Sequence, residues 1–168
     1  MNATSDSWTG GCQCGAVRYC LRAIPHDPHL CHCRMCQKQF GNFFAALASV
    51  AAADFELTRG ALSYFHSSAN IRRGFCAACG TPMTYEPVPP KTVSIAIPTL
   101  DQPDAVIPSF QYGSESMSPH FKSLAALPAA ETGVDRDGKV YAEWRDAIMA
   151  TARQHPDHDT DQWPQHSA

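Results

Sequence analysis

A chain of 168 residues is about one domain long and can bury a core without covalent staples. Its residues are 44% hydrophobic and only 17% charged, with a formal net charge of −3 and a pI near 6.2. That balance excludes a broad basic face for neutralising phosphates, so no nucleic-acid partner is expected.

The opening "MNATSDSWTGGCQCG" has no charged stretch leading into an apolar run, which argues against a secretory signal. The most apolar segment, "FFAALASVAAADF", is broken by Ser49 and Asp54 and is too short to span a bilayer. A cytoplasmic protein without a membrane partner is therefore the expectation. Residues 1–10 read as an N-terminal arm. "GAVRYCLRA" then alternates, with Val17, Tyr19 and Leu21 on one face and Ala16, Arg18, Cys20 and Arg22 on the other, the pattern of a half-buried strand. "PHDP" at 25–28 reads as a turn, because two prolines interrupt a hydrogen-bonded ladder. Further strands are expected over 42–50, 61–67, 71–76, 82–87, 92–98 and 108–113, most of them short and bounded by Gly, Pro, Asn or Ser. The one helix expected is "YAEWRDAIMATARQ", where Tyr141, Trp144, Ile148 and Ala152 share a face behind the turn "DRDGK". Residues 155–168, rich in His, Asp and Pro, read as a flexible tail whose His155, His158 and His166 are at most adventitious metal scavengers. The whole is a mainly β fold of short antiparallel strands: a β domain over 11–134, then a turn and helix over 135–154.

Seven of the eight cysteines fall into three groups: Cys12-x-Cys14, Cys31-x-Cys33-x-x-Cys36 and Cys76-x-x-Cys79. So many thiols in a reducing compartment favour metal binding over disulfides. Seven ligands divide naturally into a closed set of four and an open set of three, since structural zinc takes four protein ligands and catalytic zinc keeps a position free. Cys12, Cys14, Cys76 and Cys79 would hold one ion, with Gly80 allowing a turn that aims amides at sulfur. Cys31, Cys33 and Cys36 would hold a second ion, open to water or a substrate thiol. The main rival is a triplet closed by a histidine, for which His26, His29 and His32 all lie near enough in sequence. Iron–sulfur ligation and a disulfide framework are weaker rivals. Cys20, alone in its strand, reads as a free thiol.

"GGCQCGAVRY", "CHCRMCQKQFG" and "YFHSSANIRRGFCAACGTPM" together resemble the glutathione-dependent formaldehyde-activating enzyme family, which includes centromere protein V. All seven motif cysteines match in order and spacing. The resemblance runs from Gly11 to about Thr132. It implies a zinc-stabilised β fold of the Mss4-like type, with two zinc ions per chain. Cys31, Cys33 and Cys36 match the catalytic ligands, and Cys12, Cys14, Cys76 and Cys79 the structural ones. The implied activity is joining a small thiol such as glutathione to an aldehyde such as formaldehyde, a carbon–sulfur lyase reaction read in reverse. "QYG" at 111–113 and "PH" at 119–120 depart from the family pattern, which implies a different choice of substrate if those positions line the cleft.

Three thiolates and a divalent ion carry about −1, so an anionic thiol needs nearby cations. Arg34, Lys38, Arg72 and Arg73 are the candidates to bind its carboxylates. Alternation puts Arg72 and Arg73 on opposite faces of their strand, so one at most faces the cleft. His32 is expected to bond backbone, His66 to end a strand, and Phe40, Phe43 and Phe44 to join the core. The alternative to an enzyme is a zinc-folded interaction module without chemistry. A nucleic-acid or cytoskeletal partner, and a methionine sulfoxide reductase, fit the charge balance and the cysteine spacing less well. A monomer or homodimer is expected.

Overall fold

In the computed structural model, which describes residues 8–163, the chain is mainly β, with two sheets and two α-helices among the described residues. The smaller sheet has three antiparallel strands in the order β1 (Trp8–Gly11), β2 (Arg18–Leu21) and β5 (Phe55–Arg59). The larger has seven, in the order β10 (Phe110–Tyr112), β3 (His26–Cys31), β4 (Ala45–Ala51), β9 (Thr92–Ala96), β8 (Pro82–Pro87), β7 (Ile71–Phe75) and β6 (Ser63–Ser68). Every pairing is antiparallel except β10 with β3, which is parallel.

The apolar side of β2 behaves as its alternation requires. Val17, Tyr19 and Leu21 are buried together with Ala48 and Val50 of β4, Met83 of β8 and Ile95 of β9, so one hydrophobic cluster joins the two sheets. Cys12 and Cys76 belong to that cluster, which seats the four-cysteine set inside the core.

Several segments depart from expectation, each for a local reason. Residues 8–10, placed in an N-terminal arm, form most of β1 because they pair with β2. The turn expected at 25–28 is instead the start of β3. Its ladder shifts register between His26 and His29, with Asp27 at a φ of 48°, and this irregularity accommodates Pro28. "RMCQKQF" forms helix α1 (Arg34–Phe40), where no helix was expected. The Cys33 sulfur accepts the Cys36 amide at its start, and the Gly41 amide returns to the Gln37 carbonyl at its end.

Beyond β10 the chain makes 3₁₀ turns and then helix α2 (Ala142–Ala150). Its expected apolar face forms but stays open: Tyr141, Trp144 and Ile148 are all exposed. The stretch read as a flexible tail is docked as far as it is described. The His155 amide donates to the Gln13 carbonyl at 2.7 Å, and its ring is buried against Trp163. Asp159 pairs with Arg18 at 2.6 Å, and Asp161 with Arg59 at 2.7 Å. Composition hides this packing because its partners lie more than a hundred residues away. His166 lies outside the described residues. No described helix is long and apolar enough to cross a membrane.

Candidate metal centre

The chain turns between β1 and β2 so that Cys12 and Cys14 meet Cys76 and Cys79 from the loop between β7 and β8. The four sulfurs lie within 4.8 Å of one another. The Cys12–Cys14 and Cys14–Cys76 sulfurs are 3.6 and 3.9 Å apart, close to the edge of about 3.8 Å for four sulfurs around one zinc ion, and far beyond a disulfide bond. All eight cysteines are free. Two neutral donors stabilise the sulfurs: the Val17 amide gives to Cys12 at 3.2 Å, and the Thr81 hydroxyl lies 3.1 Å from Cys79. Gly80, at a φ of 77°, makes the expected turn: its amide bonds the Cys76 carbonyl at 2.8 Å, and the backbone of Thr81 just after it bonds the Cys79 sulfur.

The second cluster is built from the end of β3 and the start of α1. Cys31, Cys33 and Cys36 also converge within 4.8 Å, and no fourth ligand joins them among the described residues. The three candidate histidines are engaged elsewhere or face water. His26 is exposed, and His29 Nδ1 bonds the Asp27 carbonyl at 2.7 Å. His32 is fully buried, with Nε2 2.9 Å from Gln111 Oε1 and its ring against Phe44 and Phe121; the expected backbone bond is absent, and Nδ1 has no partner. The rival in which histidine closes the triplet thus finds no support in this geometry. The sulfur donor set fits zinc at both clusters.

Ionisation differs within each cluster. A hydrogen bond from Cys36 brings the Cys31 thiol down to about 5, while that shared proton and burial push Cys36 up. Burial pushes Cys12 and Cys14 up. It would raise Cys79 too, but hydrogen bonds from the Thr81 hydroxyl and from the backbone of Thr81 and Cys14 outweigh it and bring that thiol down to about 6. Cys31 and Cys79 are thus held toward the thiolate form in which a metal is bound.

The expected cations separate into three fates. Arg34 and Lys38, one turn apart on α1, line a cavity of about 400 Å³ with Met35, Gln39, Phe65, Ser67 and Arg73. Arg34 Nη1 also bonds Gln37 Oε1 at 2.9 Å. Arg72 is spent elsewhere: it donates twice to the buried Glu86 carboxylate, at 2.8 and 2.6 Å, and lies over the Tyr64 ring. It leaves the set of residues able to take a substrate carboxylate. Arg73, on the opposite face as alternation requires, points both Nη1 and Nη2 at Cys36 Sγ, at 3.5 and 3.6 Å.

Some contributors were not read from sequence. Gln37 ties α1 to its surroundings, donating from Nε2 to the His32 and Ser116 carbonyls at 2.7 and 2.8 Å. Gly113, at a φ of 67°, passes so close to Cys33 that a Cβ there would lie 2.7 Å from the Cys33 nitrogen. The "QYG" stretch thus supports the triplet loop directly, and the Tyr112 carbonyl also accepts the His32 amide at 2.8 Å. Had the helix been read, the four-residue spacing of Arg34 and Lys38 would have placed them on one face. Phe40 packs beside the triplet, Phe43 is 47% exposed, and His66 faces solvent within β6.

Residues 7–114 match the family model described as "Glutathione-dependent formaldehyde-activating enzyme". The chain belongs to this family. As a family member it also resembles, in fold, a crystal structure of a Rhodobacter sphaeroides protein, with a TM-score of 0.52 and 22% sequence identity. That likeness covers 61% of this chain and 98% of the other. The family match ends at β10, so the turns, α2 and docked segment that follow lie outside it.

Proposed function

We propose that the protein is a zinc-dependent carbon–sulfur lyase that forms or cleaves adducts between a small, glutathione-like thiol and a formaldehyde-like aldehyde in a reducing cytoplasm. The observation that carries this reading is three converging thiols with no fourth protein ligand among the described residues, on the helix that also walls a cationic cleft. Zinc held by Cys31, Cys33 and Cys36 would supply a Lewis acid with an open position, where an incoming thiol ionises at neutral pH. Cys12, Cys14, Cys76 and Cys79 would hold a second, structural zinc.

The chain's own residues do the placing. Arg34 and Lys38 offer two cations, one helical turn apart, to the carboxylates of an anionic thiol. Met35 and Phe65 offer apolar surface to its aliphatic part. In the adduct-forming direction the thiol sulfur bonds to the aldehyde carbon, the carbonyl π pair moves to oxygen, and the proton lost from sulfur is balanced by one gained at oxygen. The reverse breaks the same carbon–sulfur bond, and nothing is oxidised or reduced. Holding both reactants in one cleft provides acceleration by proximity.

Exchange NMR on an equilibrium mixture of glutathione, formaldehyde and their hydroxymethyl adduct tests this reading. Zinc-loaded wild type is expected to speed interconversion above the buffer rate, and a Cys31→Ser, Cys33→Ser, Cys36→Ser variant to return it to that rate. No acceleration by wild type with glutathione or other small thiols, at two zinc ions per chain, would overturn it.

A further inference from the structure

Arg73 is 1% exposed, and no carboxylate pairs with it among the described residues. Arg18, the other buried arginine, has both Asp101 and Asp159. Arg73 instead gives Nε to Ser67 Oγ at 3.1 Å and both terminal nitrogens to Cys36 Sγ, with its guanidinium 5.1 Å from the Tyr85 ring centroid. A guanidinium stays charged in proteins, so burial demands an anion. The anion within reach is the triplet.

We propose that Arg73 is a positioning residue that acts through Cys36 to make an anionic thiolate the favoured fourth ligand of the triplet's metal. This rests on the triplet being an open thiol-binding site. Three thiolates and a divalent ion sum to −1, and Arg73 brings the site to neutrality, so a substrate thiolate arrives at a neutral centre instead of an anionic one. The four-cysteine cluster has no such need. Its fourth thiolate is tethered by the chain, and the groups that donate to its sulfurs, among them the Val17 amide and the Thr81 hydroxyl, are neutral. The cation is thus matched to the cluster whose last ligand must come from solution.

The test uses two probes of different charge on the full chain loaded with cobalt: 2-mercaptoethanol, which binds as thiolate, and imidazole, which binds neutral. Binding is read from the cobalt absorbance. In Arg73→Met, 2-mercaptoethanol affinity is expected to fall about 10- to 100-fold, the scale of losing one nearby charge in a partly buried site, while imidazole affinity is unchanged. Arg73→Lys, which keeps the charge, is expected to restore thiolate binding. Cobalt per chain is counted first, and if the Met variant holds one ion instead of two, Arg73→Gln takes its place. An equal loss of both probes would reduce Arg73 to a packing role, and undiminished thiolate binding would remove its role altogether. Wild type that binds imidazole but no thiol would instead defeat the reading of the open position as a thiol site, and this inference with it.

Discussion

The two cysteine clusters use the same ligand atom in opposite settings. Cys12 and Cys76 sit in the main hydrophobic cluster, with four thiols, neutral donors and a C-terminal segment laid over the Gln13 loop. Cys31, Cys33 and Cys36 sit by a small satellite cluster with Ala45 and Leu47, with three thiols, a buried cation and an adjoining cleft. Ligand number and surrounding charge distinguish the two clusters. A closed set in the core contributes folding energy, whereas an open set at the margin leaves a coordination position for substrate.

The comparison breaks most sharply at the ligands themselves. Cys76→Ser should unfold the protein at moderate temperature, because a structural zinc site contributes on the order of 10 kcal/mol to folding. The triple substitution at the triplet should lose one metal yet keep the sheet signal, with a loss of stability well below that of Cys76→Ser and on the scale of about 3 kcal/mol for leaving buried Arg73 without its anion. Circular dichroism with metal counting checks both, and equal losses of stability would erase the distinction between the clusters.

Next in size is the support of the four-cysteine side. Asp101 accepts two bonds from Arg18, at 2.8 and 2.5 Å, and one from Thr9 at 2.5 Å. Asp101→Asn leaves Arg18 partly uncompensated and should cost about 3 kcal/mol in urea unfolding at pH 7. Burial alone would raise the Asp101 pKa, but the bonds from Arg18 and Thr9 outweigh it and hold the carboxylate below its usual range. Its contribution is therefore present above the unfolded carboxylate pKa of about 4 and is lost as pH falls through the lower folded value. The gap between wild type and Asp101→Asn should accordingly close in acid; a gap that widens there would reverse the sign.

Gly113→Ala forces a side chain into the left-handed region and against Cys33, at a cost of about 1–2 kcal/mol. Cobalt affinity at the triplet should fall, while the spectrum of the four-cysteine cluster holds. The smallest effect belongs to Arg34 and Lys38, which are solvent-facing. Each change to Ala should raise KM for an anionic thiol by up to about fivefold, the scale of an exposed ion pair, with kcat steady and a neutral thiol unaffected.

Spacing along the chain was enough to sort seven cysteines into a four and a three, because short C-x-C and C-x-x-C runs deliver neighbouring thiols whatever lies between them. Alternation likewise separated Arg72 from Arg73 and named the apolar side of β2, since side-chain direction in a strand has a period of two. Which arginine meets the Cys36 sulfur could not be read that way. That depended on β7 lying between β6 and β8 in a register that sets Arg72 opposite Glu86 and Arg73 opposite Tyr85. The short α1 also escaped, because its start is capped by the Cys33 thiol, a residue type outside the usual capping patterns. The docking of His155 and Asp159 was invisible for the same kind of reason: polar residues look like a tail until Arg18, Arg59 and Gln13 are brought beside them. Local ligand grouping and strand faces were thus determined by the sequence alone. Charge pairing across the fold was decided only by tertiary structure, because it depends on contacts between residues far apart in the chain.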